Sequence, residues 1–139
     1  MADLKLSVLS PDRRVINEVT AAEVTLTTSE GQIQILPGHA PMVSTLDAGG
    51  FRYTPTQGDR ITGAISWGFV EVYQNLVTVS AQTVEMRDEI NLDRAKAAQK
   101  KAEEMLNSPN IDESSFRKYQ LKLQRSLIRQ QIANKDFSF

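Results

Sequence analysis

The sequence predicts an α+β fold: an N-terminal antiparallel β-sandwich followed by a C-terminal two-helix hairpin. Three observations carry this reading. Apolar residues alternate with polar ones up to about Met86, and from Asp88 onward they recur at helical spacing instead. Glycine, used freely in the first part, is absent after Gly68. The expected domains are therefore residues 1–87 and 88–139.

The strands follow in order. "LKLSV" places Leu4, Leu6 and Val8 on one face, and "AEVTLTT" does the same with Ala22, Val24 and Leu26. Further runs stand at "QIQIL", "MVSTL", "RITGAISW", "FVEVY" and "LVTVSAQTVEM". "SPD", "SEG", "DAGG", "TPTQGD" and "YQN" separate them as turn compositions. Short strands at close spacing without intervening helices predict about eight to ten strands in a sandwich or barrel. Phe51, Trp67 and Phe69 are expected in its core, and Met86 and Met105 as gap-fillers.

In "INLDRAKAAQKKAEEML" one side of a helix carries Leu92, Ala95, Ala98, Ala102, Met105 and Leu106, so its alanines allow a second helix to approach closely. Asn91 suits the N-cap and Asp93 the first turn. "NSPN" ends this helix, and Asp112 caps a second one from about Glu113 to Ile132. At about 100° per residue, Phe116, Tyr119, Leu123 and Leu127 form one apolar stripe on the second helix. Leu121, Ile128 and Ile132 form another, almost opposite. A basic ridge of Lys118, Lys122, Arg125 and Arg129 lies between them, and it suits either an anionic partner or open solvent.

Composition narrows the function classes. The 139 residues carry 16 basic and 17 acidic side chains, a balance unlike that of a general nucleic-acid or membrane-surface binder. The absence of cysteine removes disulfides, thiolate zinc sites and cysteine nucleophiles. No run reaches the roughly 18 apolar residues of a membrane span, and the first residues, "MADLKLSVLSPD", lack a signal core. An intracellular protein is expected.

The one histidine, His39, sits in "ILPGHAP". Pro37 and Gly38 suit the central positions of a type II turn, and Pro41 keeps Ala40 out of the helical region. A loop this stiff displays its side chains at little entropic cost. His39 reads either as an ordinary loop residue held by a backbone carbonyl or as a docking residue. For hydrolysis, Ser29, Ser44 and Asp47 are near it only in sequence, and no nucleophile-elbow pattern is present. One histidine without cysteine makes a poor metal site, and no glycine-rich phosphate loop occurs. On residues alone the leading reading is a non-catalytic β-sandwich adaptor with a partner-binding hairpin.

"SEGQIQILPGHAPMVSTLDAG", "GFVEV", "VTVSAQTVE" and "INLDRAKAAQKKAEEML" together resemble the epsilon subunit of bacterial and chloroplast F-type ATP synthases and the homologous mitochondrial delta subunit. The resemblance spans essentially the whole chain. It implies a non-catalytic subunit at the foot of the rotating central stalk, in a proton- or sodium-transporting complex. The sandwich of such a subunit binds the gamma subunit and the c-subunit ring. Its hairpin either folds down or extends toward the alpha and beta subunits, where it inhibits ATP hydrolysis. By this resemblance Ser29, Glu30, Gly31 and Gln32, with Pro37, Gly38, His39, Ala40 and Pro41, contact the c ring.

Some members bind ATP through I/L-D-x-x-R-A in the first helix and R-x-x-R/K in the second. Here "INLDRA" supplies Ile90, Arg94 and Ala95 but has Asn91 at the aspartate position, and "RSLIR" supplies Arg125 and Arg129. Asparagine keeps an acceptor and loses the charge, so the expectation is no required cofactor, with regulatory ATP binding weak or absent. No nucleic acid is expected as a partner, and membrane contact is expected only through the complex. The implied location is peripheral, on the cytoplasmic face of the bacterial inner membrane, with the stromal side of a plastid thylakoid as the alternative.

Overall fold

The computed structural model describes residues 3–134, which fall into two compact units dividing between Met86 and Arg87. The first holds β1 (Leu4–Leu9), β2 (Arg14–Thr28), β3 (Gly31–Ile35), β4 (Met42–Leu46), β5 (Gly49–Pro55), β6 (Ile61–Tyr73) and β7 (Leu76–Met86). β1 pairs antiparallel with β2 and parallel with β7, β7 with β6, β6 with β5, and β5 with β2, which closes a ring of strands. β4 joins β6 to the end of β2, and β3 lies along β2. The interior is filled by Leu4, Leu6, Val8, Val24, Leu26, Ile35, Phe51, Val70, Val72, Val77 and Val79, all at most 2% exposed. Each contributes roughly 1.5–3 kcal/mol by leaving water.

Among the described residues seven strands stand where eight to ten were expected, because the long strands bend rather than break. β6 fuses "RITGAISW" with "FVEVY": its first half pairs with β5 and its second with β4, and Trp67 at φ 44° marks the change of partner. A Cβ on the next residue, Gly68, would lie 2.7 Å from the Ala81 Cα of β7, so only glycine fits that corner. β2 bends likewise at Glu18 (φ 51°), whose N–H finds the Ser7 hydroxyl at 3.1 Å. A second irregularity between Ala21 and Glu23 turns Ala21 inward and leaves Ala22 exposed, against the strict alternation expected there. "DAGG" is less a turn than the start of β5, since Gly49 and Gly50 pair with Ile65 and Ala64. The Gln74 and Asn75 turn joining β6 to β7 has both residues at positive φ, the geometry of a tight hairpin.

The second unit begins with a 3₁₀ turn, Arg87–Glu89, and continues into α1 (Leu92–Leu106) and α2 (Glu113–Ala133). Both helices start at the expected caps. The Asn91 side chain accepts from the Arg94 N–H at 3.0 Å, and Asp112 accepts from the Ser115 N–H at 3.4 Å. Ala95 and Ala102 of α1 and Ser126 of α2 are buried, and the small side chains let the helices approach closely. Gln130 Nε2 donates across the hairpin to Gln99 Oε1 at 2.6 Å. Neither apolar stripe of α2 is wholly covered: Phe116 and Leu127 of one and Leu121 of the other are each at least 40% exposed, while Ile132 is buried. The helix contact runs along the flank that carries Ser126 and Gln130, so bulkier residues are left at its rim.

Candidate functional site

Two turns were singled out for docking, and the structure sets them at opposite ends of one strand. Ser29 and Glu30 close the hairpin between β2 and β3; the "ILPGHAP" loop leads out of the far end of β3 into β4. Five residues of β3 hold them roughly 13 Å apart. The first turn is pinned by the Thr28 hydroxyl, which donates to the Gly31 carbonyl at 2.6 Å and accepts from the Glu30 N–H at 3.2 Å. The Ser29 hydroxyl meets that of Thr45 at 2.7 Å.

The second loop has the geometry its sequence demands. The His39 N–H donates to the Leu36 carbonyl at 3.1 Å across a turn whose Gly38 has φ 87°. The Gly38 N–H then donates to Asn75 Oδ1 at 2.7 Å, tying this loop to the turn between β6 and β7. His39 Nδ1 lies 2.7 Å from the Ala40 carbonyl, while Ala40 and Pro41 are exposed. Ser29 and Asp47 lie at the other end of β3 and β4, and the Ser44 hydroxyl turns to the Thr45 carbonyl at 3.3 Å, so none of the three forms a triad with His39.

An apolar face was missed by sequence reasoning. Val43 is 73% exposed, Tyr73 60% and Phe69 43%. Val43 pairs with Glu71 and therefore lies diagonally between Phe69 and Tyr73 on the outward side of β4 and β6. Leu76, also exposed, pairs with Tyr73 and extends the patch onto β7. Phe69 is thus a surface residue rather than the core aromatic expected, while Phe51 is buried as expected. The signal was present in "FVEVY", where Val70 and Val72 take the inward phase and leave Phe69, Glu71 and Tyr73 outward.

In the hairpin, Asn91 is the N-cap, Ala95 is buried in helix packing, and Ile90 donates its N–H to the Arg87 carbonyl at 3.2 Å. Gln99 and Gln130 mark a common level. Arg94 lies five residues to one side, Arg129 one residue and Arg125 five residues to the other, so along the axis Arg94 is about 9 Å from Arg129 and about 15 Å from Arg125. A nucleotide touching all three would have to lie lengthwise. Two cations of the basic ridge already have a neutral partner: the Lys118 and Lys122 ammonium groups stand 5.6 and 5.4 Å from the centre of the Tyr119 ring.

Comparison with known families decides the assignment. The model described as ATP synthase, Delta/Epsilon chain, beta-sandwich domain matches residues 3–87, and that of the long alpha-helix domain matches residues 88–134. The chain belongs to the ATP synthase delta/epsilon family. It is 41% identical to the ATP synthase epsilon chain of Geotalea uraniireducens over 132 residues, covering 95% of this chain and 94% of that one. The epsilon chain of Bacillus pumilus is 38% identical over 135 residues, with 97% and 100% covered. Among solved structures, a chain of the Euglena gracilis mitochondrial ATP synthase, in a complex of OSCP, F1 and c-ring, shares the fold with a TM-score of 0.81 at 23% identity. That match covers 91% of this chain and 79% of the other. The family indicated by the "ILPGHAP" and "DRAKAA" stretches is therefore the family found, and its sandwich and long-helix parts correspond to the two units described.

Proposed function

We propose that this epsilon-family chain is a non-catalytic subunit of the central stalk of an F-type ATP synthase, coupling rotation of a c-subunit ring to the catalytic head. Family membership over residues 3–134 carries the reading. The geometry supports it with a division of labour. The rigid sandwich offers the Val43, Phe69 and Tyr73 face to a gamma subunit. The Ser29 to Gln32 turn, held by the Thr28 hydroxyl, and the Pro37 to Pro41 loop, tied to Asn75, take up contacts to polar loops of the ring. A partner touching both turns runs along β3, which pairs only with β2 among the described residues.

The hairpin is the regulatory part in this proposal. Partly exposed stripes on α2 leave Phe116, Leu121 and Leu127 available to alpha and beta subunits once the hairpin extends, and the two arrangements must then lie within a few kcal/mol of each other. ATP is at most a weak ligand of the closed form. The position is peripheral, with membrane contact through the complex and the bacterial cytoplasmic face as the side; the ion is a proton or sodium. Deleting residues 88–139 tests the regulatory part. Assembly should persist and ATP hydrolysis by the complex should rise, whereas unchanged hydrolysis would remove regulation from the hairpin.

A further inference from the structure

We propose that Arg87 is a latch that holds the hairpin closed by gripping the end of α2. Its Nε donates to the Ile132 carbonyl at 2.9 Å, across 45 residues of sequence. That carbonyl lies in the last turn of α2, at the negative end of the helix dipole, where the Asn134 N–H also reaches it. α2 has no basic residue of its own in that turn, so the cation comes from the 3₁₀ turn that opens the second unit. The rest of the closure rests on the burial of Ala95, Ala102, Ser126 and Ile132 and on the neutral Gln99 to Gln130 bond. A charge-assisted hydrogen bond adds to these and fixes the end of α2 that carries Ile132. Arg87 is a positioning residue, and its functional consequence rests on the regulatory reading above.

The chain lacks cysteine, so a single thiol can report opening. Ser126→Cys places one in the buried flank of α2, and Ala81→Cys places a control in the sandwich. Modification of the full-length chain by an aromatic disulfide reagent should proceed about tenfold faster at the Ser126→Cys thiol when Arg87→Ala is added, the equivalent of ~1.4 kcal/mol. The Ala81→Cys thiol should keep its rate. Arg87→Lys retains the charge without the guanidinium geometry and should fall between, which keeps the test usable if the alanine variant folds poorly. An unchanged rate at the Ser126→Cys thiol, or equal acceleration at both thiols, would overturn the latch. Faster opening with unchanged ATP hydrolysis in the assembled complex would support the latch and overturn the regulatory reading, so the two failures are distinguishable.

Discussion

Replacing Val43 and Phe69 together by serine probes the apolar face most sharply. Val43 is 73% exposed and Phe69 43%, so only the remaining quarter of one and just over half of the other serve folding, and the double variant should lose roughly 1–2.5 kcal/mol of stability. Docking is different. Full burial of such a side chain is worth roughly 1.5–3 kcal/mol, and the exposed portion is what a partner can still cover. Taking about three quarters of that for Val43 and under half for Phe69, the pair should contribute about 2–3 kcal/mol to a complex. That is roughly 30- to 150-fold in the dissociation constant. Titration calorimetry of the full chain against an isolated gamma subunit reads it directly, with circular dichroism as the folding control. An affinity within twofold of the parent, in a folded variant, would refute the assignment of this face to docking.

Gly68→Ala should destabilise the sandwich by about 1–3 kcal/mol, seen as a lower urea midpoint, because the added carbon meets the backbone of Ser80 and Ala81 rather than a side chain that can move aside. Glu23 gives a pH signature. Burial alone would raise its pKa from 4.5, but hydrogen bonds from Thr25 and Thr54, the Arg52 charge and Gln34 outweigh that and hold it lower. Its contribution is therefore fully present above about pH 4.5 and lost as pH falls through the depressed value, and Glu23→Gln should flatten that part of the stability profile measured in urea. ATP should bind the isolated chain with a dissociation constant no tighter than about 1 mM by calorimetry, and Asn91→Asp should tighten it. Micromolar binding by the parent would show that the missing carboxylate matters little.

Both helix caps and the "ILPGHAP" turn were legible in the sequence because each depends on local chemistry: an acceptor side chain before a helix, or a proline followed by glycine. What escaped were features fixed by distant pairing. "RITGAISWGFVEVY" reads as two strands until β5 and β4 are seen to share it on either side of Trp67. Phe69 looks like a core residue because an apolar side chain in either phase of a strand fits one face or the other, and only the burial of Val70 and Val72 settles which. The Arg87 bond to Ile132 links residues that no short motif joins. In the hairpin, the stripes on α2 were visible, but the contact line passes through Ser126 and Gln130, whose polar side chains gave no hydrophobic signal.

The coupling role can be measured by adding the purified chain to an ATP synthase from which the epsilon-like subunit has been removed and following ATP-driven ion pumping together with hydrolysis. A coupling stalk subunit should join the complex in about one copy per stalk, restore pumping per ATP hydrolysed, and lower the hydrolysis rate. Failure to join the complex, or joining it without any gain in pumping per ATP, would contradict the account.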